Sequence, residues 1–389
     1  MRSQPFITFC TSRRAPLCCV LAATSAFAAA PASAEPHRPA DDAVVLATTA
    51  PGAAAPDVAR LAIRDGRANA DRRRYGQAQA ALGAWWSMED APAEVRGLRA
   101  VIRQALHDFH SAEADLGAIL AMDPMNGQAR LTRAFVRQSI GEFGAAEDDC
   151  RQLPRSVGLT ARAICLLRVE ALTGSAAPAL ERLTQVTALD GEDAPQVRRW
   201  ARAVAAEMDA MLGRSDDANR RFIEAVAEGA DIPMLVAYAD HLLDAGRPAD
   251  VLPLLADRSE ADVVLLRLAI AAKSVGDSRA THWTALLAER FAAARASGVQ
   301  LHLRDEARFE LEVRGDAVRG DAVSALPLAR ENWKNQKEPA DARLVLQAAQ
   351  SARDPAAAAD VLGFLAATGL SQPRFGLGTA SPDLLFCAG

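Results

Sequence analysis

The sequence predicts an all-α chain, an α-solenoid of stacked antiparallel helix hairpins. Three observations lead there. Half of the 389 residues are apolar but only 5% are aromatic, with just two tyrosines, so the apolar weight rests on alanine, leucine and valine. Alanine and leucine are the strongest helix formers, and the β-branched and aromatic richness of an all-β protein is missing. Small, aromatic and alanine residues recur with a period of 34 residues. Glycine and proline then punctuate the segments between them, as helix ends require.

The charge balance narrows the function classes. Against 49 acidic residues stand 44 basic ones, all arginine except Lys273, Lys334 and Lys337, for a net charge of −5. The chain is too apolar to be disordered throughout and not basic enough for a generic nucleic-acid binder.

In chain order, residues 1–34 read as a signal peptide. Arg2, Arg13 and Arg14 give a positive start, and Leu17–Ala30 is an apolar stretch too short to span a bilayer comfortably. Ala32-Ser33-Ala34 supplies a cleavage pattern, so the expected mature chain begins at Glu35 in the periplasm or outside the cell. Arg13-Arg14 hints at the twin-arginine route, but Pro16 stands where that motif prefers a large apolar residue, and the ordinary secretory route leads. No other stretch approaches 18 consecutive apolar residues, so no stable membrane insertion is expected after cleavage. Residues 35–56, with Pro36, Pro39, Pro51 and Pro56, read as a disordered linker. Residues 371–389, with Pro373 and Pro382, read as an irregular tail.

The repeat occupies the middle. Windows starting at Ala59, Ala93 and Gly127 align. They carry Gly66, Tyr75, Ala78 and Leu82, then Ala100, Phe109, Ala112 and Leu116, then Ala134, Phe143, Ala146 and Cys150. The physics is that of a helical hairpin. The small residue lets the first helix lie close to the second, the aromatic fills the gap, and the alanine marks the closest crossing. Asp123-Pro124-Met125-Asn126 ends one hairpin and starts the next.

This pattern resembles the tetratricopeptide repeat, and residues 121–129, Ala-Met-Asp-Pro-Met-Asn-Gly-Gln-Ala, resemble its inter-repeat turn. The chain departs from the family in lacking the first-helix tryptophan and leucine. The clear resemblance covers residues 57–159, and residues 160–370 continue as degenerate hairpins. Turn glycines Gly174, Gly213, Gly246 and Gly276, each followed by a second-helix pair such as Ala218 and Phe222, mark them. Helix pairs near 303–336 and 340–369, the last joined at Asp354-Pro355, bring the expected count to about nine. The resemblance implies a right-handed superhelix with few long-range contacts.

The resemblance also implies a function, that of an exported bacterial scaffold or adaptor holding a peptide or partner protein on the concave side lined by first helices. The alternative is a chaperone-like assembly or maturation factor for an exported or membrane enzyme. Positions carried over by spacing are Ile63, Arg67, Val101, Gln104, Leu131, Phe135, Gln138, Ile164 and Arg168. The weaker frame adds Glu207, Asp240 and Lys273. The lysine-asparagine set with which some members clamp a C-terminal carboxylate is missing. After cleavage three cysteines remain. Cys150 and Cys165 fall on neighbouring helices and are either a disulfide or two small buried residues; Cys387 is left over in the tail.

No enzyme is expected, and no cofactor or metal. Nucleotide-binding glycine loops, a nucleophile elbow and H-E-x-x-H are all missing. His107, His110 and Glu113 sit at metal-like spacing, but the repeat puts His107 in a turn, where the next repeat has Gly141, which leaves a solvated face as the leading reading. Asp305, Glu306, Glu310 and Glu312, alternating with Arg304, Arg308 and Arg314, read as a solvent-exposed face laced with ion pairs. Trp85-Trp86 offers one ring to the first hairpin's core and the other to the surface or to a ligand.

Overall fold

A computed structural model describes residues 54–189, 194–296, 303–314 and 321–370. The expected signal peptide, nearly all of the linker, the tail and Cys387 lie outside the described residues. Eighteen α-helices follow one another as nine hairpins among the described residues. The first three are α1 (Ala55–Asn69) with α2 (Arg72–Ala81), α3 (Ala93–Ala105) with α4 (Phe109–Met122), and α5 (Gly127–Ile140) with α6 (Phe143–Arg151). Next come α7 (Leu159–Glu170) with α8 (Ala176–Leu189), α9 (Pro195–Met211) with α10 (Ser215–Ala227), and α11 (Ile232–Asp244) with α12 (Pro248–Leu255). The last three are α13 (Asp262–Val275) with α14 (Ala280–Ala296), α15 (Leu303–Arg308) with α16 (Ala322–Asn335), and α17 (Pro339–Ala352) with α18 (Ala359–Thr368). Helix α1 takes up the last two residues of the segment expected to be linker, because Pro56 fits a first helical turn, where no N–H partner is needed.

The repeat residues do what their sizes dictate. Ala78, Ala112 and Ala146 are completely buried at the helix crossings, and Tyr75, Phe109 and Phe143 are buried beside them. The same logic runs on into the degenerate half through Ala179, Ala218 and Phe222. Turn glycines Gly174, Gly213, Gly246 and Gly276 all have positive φ. The run Leu159–Leu189 is apolar and long enough to cross a membrane. It is nevertheless a hairpin: the helix breaks at Thr173 and Gly174 (φ 97°), and Ala179 and Leu183 are buried against α7 and α9.

Contacts between distant hairpins are few, as expected, but they close the array. One core cluster joins Ala134, Phe143, Cys165 and Leu172 to Trp333, Leu346 and Leu365. There the Lys337 amide donates to the Ser139 carbonyl at 2.8 Å, the Ser139 hydroxyl donates to Glu338, and Phe143 lies against Phe364. Ala70, after α1, packs on the core formed by α11–α14. The array therefore folds back on itself twice, third hairpin on the last two and first hairpin on the sixth and seventh. Gly141 permits the closer approach. Its φ is 84°, and a Cβ there would lie 2.5 Å from Cζ of Phe364 and 2.9 Å from Cβ of Lys337.

Packing between neighbouring hairpins also corrects the expected exposure of residues 304–314. Asp305, Glu306 and Glu310 are buried, not solvated. Glu310 pairs within the segment as expected, with Arg314 at 3.2 Å, whereas Asp305 pairs with Arg267 at 2.9 Å and Glu306 with Arg295, both outside it. The segment is enclosed by α16 and by the neighbouring hairpins, through α13, α14 and α17, which a local charge pattern does not reveal.

Candidate functional site

The first helices of four successive hairpins, α11, α13, α15 and α17, wall a cleft of ≈ 640 Å³. Their pitch brings one charged side chain per turn to the same face, as i, i+3 and i, i+4 spacing requires. From α11 come Asp240 and Asp244; from α13 come Arg267 and Lys273; α15 gives Arg304 and Arg308; α17 gives Arg343 and Gln347. Glu312 follows α15.

These groups hold one another rather than waiting for a ligand. Arg267 reaches Asp240 at 2.8 Å and Asp305 at 2.9 Å. Arg308 reaches Asp240 at 2.8 Å and Glu312 at 2.7 Å, and Arg304 reaches Asp341 and Glu338 at 2.6 Å each. Arg343 pairs with Asp244, and Lys273 donates to the Val313 carbonyl. Burial pushes the Asp240 carboxyl up, but the guanidiniums of Arg267 and Arg308 outweigh it and hold the group well below the usual carboxylate range. The cleft lining carries five cations and three carboxylates. Asp305, Glu338 and Asp341 stand behind the guanidiniums. The local charge is thus near neutral, and the cleft offers fixed hydrogen-bonding directions instead of a strong field.

The residues expected on the concave side divide into three groups. Asp240 and Lys273 line the cleft. Phe135, Gln138, Arg168 and Glu207 come together on the third to fifth hairpins. Arg168 donates to the Gln138 side chain at 2.6 Å, sits 6.0 Å from the Phe135 ring centre and lies 3.8 Å from Glu207. Phe135 also meets Trp200. Gln138 is itself buried, so it positions Arg168 and offers little surface of its own. The remaining positions fare differently. Ile63 and Ile164 are buried core residues, a correction to their placement in the groove. Their helices rotate an apolar face inward at those positions. Val101 and Leu131 pack against cores, Gln104 is half-buried, and Arg67 is exposed beside a second cavity between the first and sixth hairpins.

The other candidates resolve by burial and partner. Cys150 and Cys165 form a buried disulfide with Cα atoms 5.5 Å apart, joining α6 to α7. His107 has φ 62° in the turn matching Gly141 and stacks on Phe109, while His110 is exposed and Glu113 pairs with Arg137 at 2.7 Å. No three metal-ligating side chains converge among the described residues. Trp85 and Trp86 are both half-buried against the first core, and Arg103 lies over the Trp86 ring.

The guanidinium column went unread in the sequence, although a signal existed in the N-terminal half. Arg99, Arg103 and Asp115 recur 34 residues later as Arg133, Arg137 and Asp149. Asp115 receives Arg99 at 2.5 Å and Arg103 at 2.7 Å; Asp149 receives Arg133 at 2.7 Å, Arg137 at 2.9 Å and Arg130 at 3.3 Å. Charged residues in frame are as diagnostic as the alanines.

Among solved structures, a chain of the APC/C hetero-tetramer Cut9–Hcn1 is similar over 82% of this chain and 61% of its own length, at 14% identity and a TM-score of 0.50. Yeast Tom70 is similar over 85% and 82% respectively (12% identity, TM-score 0.40). A tetratricopeptide repeat protein from Parabacteroides merdae is similar over 60% and 93% (14% identity, TM-score 0.39). No protein-family model and no curated protein sequence matches the chain. At these identities the likeness speaks for the fold alone. With nine successive hairpins, the first three in frame on their crossing alanines, the fold is that of the tetratricopeptide-repeat proteins.

Proposed function

We propose that this chain is an exported interaction scaffold that holds a segment of a partner protein in the cleft between α11, α13, α15 and α17. The observation that carries the reading is the cleft itself, ≈ 640 Å³ of ordered, ion-paired polar side chains on the first helices of four hairpins. Fixed donors and acceptors reduce the ordering that binding would otherwise require. Near-neutral charge makes shape and hydrogen bonding the means of recognition, so binding should depend only weakly on salt. The leader-like residues 1–34 support export, and the Cys150–Cys165 bridge supports an oxidising compartment.

A photo-crosslinker placed at Gln347 tests this against one at Gln185, an exposed position on α8. The expected result is one partner from periplasmic extract captured at Gln347, lost when Ser274→Trp fills the cleft. Equal capture from Gln185, or capture unaffected by Ser274→Trp, overturns the reading.

A further inference from the structure

A second cavity, ≈ 340 Å³, opens where the first hairpin meets the sixth and seventh. It exists only because the array closes on itself, and no local sequence pattern foretells it. Its character differs from that of the polar cleft. Tyr75, Ile232, Val236 and Val263 give it an apolar wall. That matches the usual make-up of a small-molecule site, an apolar body with a few placed polar groups.

Two polar groups are left for a ligand. Gln336 is buried (7% exposed) at the end of α16, lines this cavity, and its side-chain oxygen accepts no hydrogen bond. A buried acceptor without a donor costs free energy unless something supplies one. Arg67, exposed at the rim, makes no ion pair with a carboxylate among the described residues. The other guanidiniums in the wall do not serve in its place. Arg72 is already engaged, and Arg267 and Arg304 are held by Asp240, Asp305, Glu338 and Asp341.

We propose that this cavity binds a small amphipathic carboxylic acid that also carries an N–H donor. The aliphatic part lies against Ile232, Val236 and Val263, the N–H donates to the Gln336 oxygen, and the carboxylate faces Arg67. An N-acyl amino acid has this combination. The inference stands apart from the partner cleft, whose lining has Arg267 and Arg304 in common with this cavity and otherwise different residues.

The test is calorimetric titration of the full chain with N-octanoylglycine. Saturable one-site binding is expected. It should weaken at least about tenfold with Arg67→Glu or with the methyl ester of the probe, since each removes a charged contact worth about one such factor. It should be abolished by Val236→Trp, which fills the apolar part. Gln336→Leu should erase the preference for N-octanoylglycine over octanoyloxyacetate, which lacks the N–H. Each variant is first shown to keep the wild-type melting temperature and helical circular dichroism. Absence of saturable binding to the wild-type chain overturns the proposal. So does binding indifferent to both Arg67→Glu and Val236→Trp in folded protein.

Discussion

The second and third hairpins and the last four solve the problem of buried charge in different ways. In the second and third hairpins each buried carboxylate is served from within its own hairpin, Asp115 by Arg99 and Arg103, Asp149 by Arg130, Arg133 and Arg137, while the half-buried Glu113 is met from the next hairpin by Arg137. In the C-terminal region the pairs cross between hairpins, Arg267 to Asp240 and Asp305, Arg308 to Asp240, Arg304 to Asp341. The first arrangement stabilises each repeat and leaves its neighbours free to stack, as in a one-dimensional array. The second fixes the relative placement of α11, α13, α15 and α17, and it is there that the cleft lies. Local pairing holds single hairpins together, and cross-hairpin pairing holds the cleft.

The largest expected effect is on the local anchors. Asp149→Ala leaves three guanidiniums around a buried, vacated position and should cost about 3–5 kcal/mol of stability, measured by urea unfolding. If the division between regions holds, native-state hydrogen exchange will place the lost protection first in α5, α6 and α7. Uniform loss across all hairpins would break the comparison.

Next comes the bridge. Cys150 and Cys165 enclose a short loop, and removing the disulfide by Cys150→Ala with Cys165→Ala should cost about 3 kcal/mol. Both cysteines belong to the core that receives the last two hairpins. The double variant should therefore lower protection in α17 as well as in α6 and α7. Protection lost only in α6 and α7 would show that the closure does not rely on this bridge.

These expectations trace what the sequence could and could not convey. The hairpins were legible because the crossing alanine, the aromatic filler and the turn glycine recur at fixed offsets. Ala218, Phe222 and Gly213 carry that pattern even where the spacing drifts. Asp240 and Lys273, expected on the concave side, line the cleft because first-helix positions follow from the frame. What escaped is burial set by packing between hairpins. Asp305, Glu306 and Glu310 look like a solvated ladder in a local reading, since the helices that cover them belong to the neighbouring hairpins. Ile63 and Ile164 escaped for a smaller reason: one step of helix rotation separates a groove position from a core one.

The third test acts on the closure directly. Gly141→Ala puts a Cβ against Phe364 and Lys337 and forces an L residue to keep φ at 84°. Left-handed strain and overpacking together should cost about 2 kcal/mol. The equivalent position in the preceding repeat, His107, already holds a side chain at φ 62°. His107→Gly should therefore leave stability nearly unchanged or raise it slightly by relieving strain. If the two substitutions behave alike, Gly141 is an ordinary turn residue and the contact with the last hairpins is weak.

The smallest effect should come from acid, and it separates the two regions by chemistry. Asp240 is ionised with its affinity for protons depressed by Arg267 and Arg308. A carboxylate whose folded pKa is depressed contributes stability that is fully present above its unfolded value of about 3.9. That contribution is lost as the pH falls from there toward the folded value. Melting temperature should accordingly hold steady down to about pH 4 and decline below it. Asp240→Asn removes the titrating group while keeping its shape and leaves Arg267 with Asp305 and Arg308 with Glu312. It should lower the melting temperature at neutral pH and make the remaining acid dependence shallower. The difference between wild type and variant will be confined to exchange protection in α11, α13 and α15 if the cross-hairpin pairs hold only the cleft. If it extends to α3–α6, the arginine column also helps to hold the first hairpins in place.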